Sequence, residues 1–321
     1  MAAELYEDDG PAPVTRASDL LGPDFRTLAE LDPGTVAYNL SYLAGVWATI
    51  AGAFALFGWK RNPFTFLVAF FVISARQQAL LNVQHECIHK MFVPGGREAN
   101  DRLATVLCAS PCMSPYAASK ARHLAHHRAL GTDADPDGFL HRGADKDTRA
   151  GLVRYLASAL FGGYALRVLG KRGSGEDPGY SVPPEAGRSD VRNLALGQTA
   201  MLVGTTAVAG PLAYPLLWAA PLGTLTAFNH VVRSYAEHAV LPDEMPEHAN
   251  RLITTTSNRL ERFLVAPYWM NLHSEHHLAP WVPARRLREL RRRLQDNPAA
   301  PPRMERTSYW ATLRAHLQKL P

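Results

Sequence analysis

No Asp, Glu, Lys or Arg occurs from Pro33 to Trp59, and none occurs from Asn193 to Val232, a run of 40 residues. A water-soluble domain rarely leaves so long a stretch uncharged, so the chain reads as an integral membrane protein even though its mean hydropathy is only −0.15. Cysteine is scarce. Cys87, Cys108 and Cys112 are an odd number with no framework spacing, which excludes a disulfide scaffold and points to reduced thiols on the cytosolic side. The first ten residues lack a basic region followed by an apolar core, so no signal peptide is expected. Zinc-finger, RNP-like and basic-zipper patterns are also missing. The net charge of +5 therefore points to an anionic leaflet rather than to nucleic acid.

A helix needs about 20 residues to cross a ~30 Å hydrocarbon core. Tyr38–Trp59 and Pro63–Val83 meet that length, the second with Arg76, Gln77 and Gln78 inside it. Those three side chains are expected to face protein or a cavity. The 40-residue run is long enough for two more spans, Asn193–Ala209 and Leu222–His238, with Pro211, Pro215 and Pro221 in the hairpin between them. Leu103–Ser119 and Leu152–Leu169 are interrupted by prolines or arginines and are read as interfacial helices. The expected architecture is all-α and membrane-integral: four transmembrane helices in two hairpins, interfacial helices, and a cytosolic cap. Two hairpins return the chain to its starting side, which then carries every Lys and Arg except Lys60 and Arg61. By the positive-inside rule that side is the cytoplasm, with Lys60 and Arg61 as a discord. The domain reading is a cytosolic segment 1–34, a membrane domain 35–290 and a basic cytosolic tail 291–321. Six arginines lie between Arg285 and Arg293 beside an apolar stripe of Leu287, Leu290 and Leu294. That helix lies either against anionic headgroups or on its own domain.

Nine of thirteen histidines fall in four groups: His85 and His89 in H-E-C-I-H; His123, His126 and His127 in H-L-A-H-H; His238 closing R-S-Y-A-E-H; and His273, His276 and His277 in H-S-E-H-H. Spacings of three and four place side chains on one helical face. An even number of spans between groups lets all nine meet at the cytoplasmic membrane surface. Four to six nitrogen ligands suit one first-row transition metal ion, so nine imply two ions. Calcium and magnesium prefer oxygen and are disfavoured. His85-Glu86-x-x-His89 alone also fits a zinc protease with Glu86 as base, which leaves seven histidines without a role. Glu86, Glu237, Glu275, Asp133, Asp135 and Asp137 are candidates to accept the second N–H of a ligating imidazole. His141, His230, His248 and His316 are read as ordinary histidines, with His230 the likeliest exception.

These motifs, in this order and followed by P-W-V-P, resemble the membrane fatty-acid desaturase and hydroxylase superfamily. The L-G-T-D-A-D-P-D run is similar to its bacterial branch that includes dihydrorhizobitoxine desaturase-like proteins. The resemblance implies a di-iron centre held by His85, His89, His123, His126, His127, His238, His273, His276 and His277, with Glu237 beside them as a catalytic candidate. It implies O2 as co-substrate and two electrons from a separate donor, a ferredoxin or cytochrome b5-like protein with its reductase. The expected reaction is desaturation of a fatty-acyl or lipid-like substrate, with the active site on the cytoplasmic face of a bacterial inner membrane. Tyr235-Ala-Glu237-His238 is similar to the Tyr-x-Glu-His of alkane hydroxylases, so hydroxylation of an alkyl chain or natural-product intermediate stays open. A metal transporter is the alternative of another class. It needs ionisable residues along a path through the bilayer, and only Arg76 and His230 qualify.

Overall fold

The computed structural model describes residues 20–22, 24–171, 184–241, 244, 252–301 and 303–321. His248 lies outside them. The described chain is mostly helical. In order it forms α1 (Asp24–Ala29), α2 (Pro33–Trp59), α3 (Pro63–Ile88), α4 (Gly96–Ala104), α5 (Tyr116–Ala129), α6 (Gly138–His141), α7 (Arg149–Leu160), α8 (Gly163–Lys171), α9 (Pro184–Ala209), α10 (Ala227–His238), α11 (Arg259–Leu264), α12 (His273–Leu278), α13 (Leu287–Gln295) and α14 (Tyr309–Lys319). Two short strands, β1 (Ile253–Thr255) and β2 (Met304–Arg306), pair in parallel with Ile253 opposite Met304.

The two long N-terminal helices begin on the same local chemistry. Asp32 accepts from the Thr35 N–H at 3.0 Å, with Pro33 at the first helical position. Asn62 forms a capping box with Thr65 ahead of Pro63. Both arrangements satisfy amides that a helix start leaves open. The outer faces of α2 and α3 expose Leu40, Trp59, Phe64, Leu67 and Phe71, as lipid-facing helices do. The interior of α3 is polar and buried. Gln77 donates to the Trp218 carbonyl at 2.8 Å, Ser74 meets Thr226 at 3.0 Å, and Arg76 donates to the Phe263 carbonyl at 3.0 Å. These side chains face protein, as expected of polar groups in a span.

By length and composition α2 and α3 can each cross a membrane, and the third apolar region is a pair of helices bent by 115°. The bend differs from the expected hairpin. It lies at Gly210, whose φ of 91° favours glycine, and only Pro211 belongs to it. Pro215 and Pro221 sit within or beside π-helical turns, Tyr214–Ala219 and Leu222–Thr226, that run directly into α10. Pro215 stands in the first turn of that helix, where a missing N–H costs little, whereas at Pro221, with helix before it, the chain passes into a π turn. The second helix of the pair therefore starts at Tyr214, eight residues before the expected Leu222.

The turn after α2 and the turn at Gly210 meet at one end of the bundle. A side chain on Gly58 would stand 2.5 Å from the Val208 carbonyl oxygen, so only glycine lets α2 and α9 approach there. The Arg61 guanidinium reaches within 3.0 Å of the Cβ position on Gly210. Beside the carbonyl end of α9 a cation is favoured, which gives Arg61 a local reason to stand at this end of the bundle.

The two interrupted apolar stretches are short broken helices with exposed apolar residues. Val106, Leu107 and Met113 are exposed in the first, and Leu160, Phe161 and Leu166 in the second. Carbonyls freed around Pro111 are taken by side chains of the long helices. Trp218 Nε1 donates to Pro111 at 2.9 Å, and Gln198 Nε2 donates to Ser110 at 2.6 Å.

The C-terminal region packs on the domain. Leu287, Leu290 and Leu294 are buried, while arginines of that stretch pair with Asp32, Glu289 and Glu305. The apolar stripe of α13 thus faces its own protein rather than headgroups. Tyr309 on α14 is fully buried. The segment drawn from sequence as a basic tail begins inside α13 and ends against the core.

Candidate metal centre

Four helices bring the histidines together. His85 lies in the last turn of α3 and His89 follows it. His123, His126 and His127 lie on α5. His238 ends α10, and His273, His276 and His277 lie on α12. Before α12 the chain turns through Tyr268 and Trp269, both with φ of 62°. That conformation is costly for bulky residues. Their side chains are held: Trp269 Nε1 donates to the Tyr38 hydroxyl at 3.1 Å, and the Tyr268 ring stacks 4.7 Å from Tyr42.

All nine grouped histidines meet, in two sets. His85, His89, His123, His127 and His276 form one, and His126, His238, His273 and His277 the other, with ligand atoms within 4.8 Å of one another in each. The partition follows helix geometry. Residues four apart lie within about 40° of azimuth, and residues three apart diverge by about 60° to the other side. The i,i+4 pairs 85/89, 123/127 and 273/277 accordingly stay together, and His126 and His276, three residues from a box's first histidine, enter the opposite set. Each H-x-x-H-H box thereby serves both sets.

Ring nitrogens converge in close pairs. His89 and His123 Nε2 are 2.8 Å apart, His238 and His273 Nε2 2.9 Å, His273 and His277 Nε2 3.0 Å, and His127 and His276 Nε2 3.2 Å. Neither His85 nitrogen has a protein partner. Burial, reinforced by neighbouring cations and imidazoles, holds His89 down to about 3 and pushes His123, His127, His273, His276 and His277 well below the ordinary imidazole range. Burial thus favours the uncharged form of these rings, which presents a nitrogen lone pair. Two adjacent sets of five and four imidazoles fit two first-row transition metal ions and do not fit calcium or magnesium.

The acids divide by position. Asp135 is buried and its Oδ1 accepts from His126 Nδ1 at 2.8 Å, leaving Nε2 for the centre. Glu237 lies 3.4 Å from His273 Nδ1 and accepts from Arg233 Nε at 2.9 Å and from the Tyr309 hydroxyl at 2.8 Å. Asp137 pairs with Arg122 and stands 4.0 Å from His126. Glu275 accepts from Thr254 and Ser274. Asp133 is exposed and faces Arg142. Glu86 accepts from the Ala284 N–H at 2.8 Å. That bond ties one carboxylate oxygen of Glu86 to the backbone just ahead of α13. Arg76 is tied to the Phe263 carbonyl and stands 4.0 Å from that ring's centroid.

His230 belongs to neither set but lines the neighbouring cavity. Sequence reasoning missed His141, Arg233 and Tyr309. His141 is buried, 3.8 Å from Asp135 and 5.1 Å from the His238 ring. It follows the acidic run closely, yet a lone histidine carries no spacing signal. Arg233 stands four residues before Glu237, a helical ion-pair spacing that was readable. Tyr309 is 71 residues beyond His238, and nothing local marks it.

The cavity, of about 410 Å³, runs beside the centre. His85, His123, His126, His238 and His273 face it, together with apolar residues such as Leu81, Ile88, Leu140 and Leu222.

The fatty acid desaturase family model matches residues 61–309. The chain is 25% identical over 213 residues to the beta-carotene ketolase of Paracoccus sp. (strain PC1), covering 66% of this chain and 74% of that one. It is 26% identical over 226 residues to the beta-carotene ketolase of Paracoccus sp. (strain N81106 / MBIC 01143), covering 70% and 79%.

Proposed function

The chain belongs to the fatty acid desaturase family, and from that premise we propose that it is a membrane di-iron oxidase acting on unactivated C–H bonds of a lipid-like substrate. The observation that carries this reading is the pair of largely buried histidine sets beside an apolar-walled cavity. His85, His89, His123, His127 and His276 would hold one iron, and His126, His238, His273 and His277 the other. When bound, the metals supply the activation of O2 that C–H oxidation requires. The protein's residues do the rest. Asp135 fixes the His126 tautomer through Nδ1. Glu237, held by Arg233 and Tyr309, orients His273 and so is a positioning residue rather than a catalytic one. The aliphatic part of the cavity wall, Leu81, Ile88, Leu140 and Leu222, would hold an alkyl chain beside the histidines.

Four crossings in two hairpins, with the histidines on the cytoplasmic face of an inner membrane, accommodate this assignment. The turns after α2 and at Gly210 share the end remote from the histidines. Two electrons per turnover come from a separate donor, a ferredoxin or a cytochrome b5-like protein with its reductase. Desaturation is the first reading. Hydroxylation is the second, favoured by the relatives whose names record oxygenation of a carotene. Placement of the substrate on a scale of about 1 Å separates the two.

The test combines metal analysis with product mass. Anaerobically purified protein should carry two irons per chain, and membranes given donor, reductase and substrates should yield a product lighter by two mass units for desaturation or heavier by sixteen for hydroxylation. One zinc per chain, with turnover retained in the absence of iron, would refute the di-iron reading.

A further inference from the structure

Gln78 lies on the same face of α3 as His85, seven residues earlier and so about 10 Å along the axis at ~1.5 Å per residue. It lines the cavity and is fully buried. The surrounding bonds settle its amide orientation. Asn82 Oδ1 accepts from Arg233 Nη1 at 2.6 Å, and Asn82 Nδ2 donates to the Pro267 carbonyl at 2.7 Å. The end of Gln78 that faces Asn82 Oδ1, at 3.4 Å, must therefore be the donor Nε2. That leaves Gln78 Oε1 as an acceptor to which no protein group donates. A buried unpaired acceptor is costly and uncommon. Gln84, on the same cavity wall, spends one end of its amide on Ser114 and likewise has no protein partner for the other.

The charges around this cavity are already balanced. Arg122 pairs with Asp137, and Arg233 with Glu237. No surplus cation awaits a carboxylate, and no surplus anion awaits an ammonium group. The remaining wall joins aliphatic residues such as Leu81, Ile88, Leu140 and Leu222 to uncharged hydroxyl side chains such as Ser119 and Thr226.

We propose that Gln78 is a specificity-determining residue, and that the substrate is a neutral, largely apolar molecule bearing a hydroxyl or other neutral donor that bonds Gln78 Oε1 about 10 Å from the carbon to be oxidised. This rests on the cavity being the substrate site of the oxidase described above. A pure hydrocarbon leaves Gln78 unpaired, and a carboxylate sets charge against an acceptor. The inference thus separates this chain from an enzyme built for carotene alone.

Equilibrium binding tests it. Tritiated dodecan-1-ol, dodecane and dodecanoate are bound to the purified iron-loaded protein in nanodiscs, with partition into protein-free nanodiscs subtracted. The wild type should prefer the alcohol over the alkane by about two- to tenfold, the range of one net hydrogen bond, and should bind dodecanoate more weakly than the alcohol. Gln78→Met keeps the size and removes the acceptor, so it should bind alcohol and alkane alike while retaining its iron. A wild type with no preference for the alcohol, dodecanoate bound as tightly as the alcohol, or a preference that survives Gln78→Met would each overturn the proposal. The wild-type ratio decides even if the variant does not fold. Turnover is read separately: iron-loaded protein that oxidises none of a wide substrate panel counts against the oxidase reading, and the binding ratios still decide the role of Gln78.

Discussion

His238 and His230 lie eight residues apart on α10, about 12 Å along its axis at ~1.5 Å per residue, and only His238 reaches a histidine set. His238→Ala should therefore lower iron content and abolish turnover, whereas His230→Ala should keep its iron; iron analysis of both variants by mass spectrometry checks this. Loss of metal from His230→Ala with retention in His238→Ala would reverse the assignment. Glu237→Gln should keep much of the iron and reduce turnover by roughly 10–100-fold, the range for a lost partner behind a metal ligand. The glutamine can still accept from Tyr309 but loses the charge that Arg233 and His273 face. Full activity in Glu237→Gln would remove its positioning role.

Helix packing near the bundle's far end depends on single positions. Gly58 stands where α2 touches the Val208 carbonyl, while nothing lies within 4 Å of the Cβ position on Gly45 in the same helix. Gly58→Leu should lower the melting temperature of the detergent-solubilised protein by several degrees, consistent with an overpacking cost of about 1–3 kcal/mol. Gly45→Leu should leave it nearly unchanged. Equal melting temperatures for the two variants would mean that α2 and α9 do not make this contact. The same helices show why prolines misled the boundary prediction. Pro215 falls in the first turn of the second helix, where its missing N–H costs little, and Pro221 stands just ahead of a second π turn through which the helix continues. A local rule says that the α-helix is interrupted and does not say whether the chain reverses.

At the scale of the whole molecule, the Lys60 turn and the Gly210 turn share one end and the histidines occupy the other. Single cysteines at Lys60 and Leu212, both exposed, should react with a membrane-impermeant maleimide from outside intact cells in a background lacking the three native cysteines. A cysteine at exposed Arg314 should react only after permeabilisation. Labelling at Arg314 from outside would place α14, and with it Tyr309, across the membrane from the proposed cytoplasmic site.

The sequence alone determined the class of this protein and its metal ligand candidates. Charge-free runs mark apolar helices because a charge in hydrocarbon is expensive. Clustered histidines mark a metal centre because i,i+3 and i,i+4 spacings on helices are themselves geometric statements. Only the tertiary structure decided how the nine divide into five and four, since that depends on the azimuth at which α3, α5, α10 and α12 meet. Only it singled out Asp135 and Glu237 among six nearby acids, set Glu86 on the Ala284 amide, and brought His141 and Tyr309 to the site. Those relations join segments up to 198 residues apart, and a contact at that separation leaves no periodicity in the chain. It arises when helices pack, and the buried carboxylate, amide and hydroxyl then have to find partners within reach.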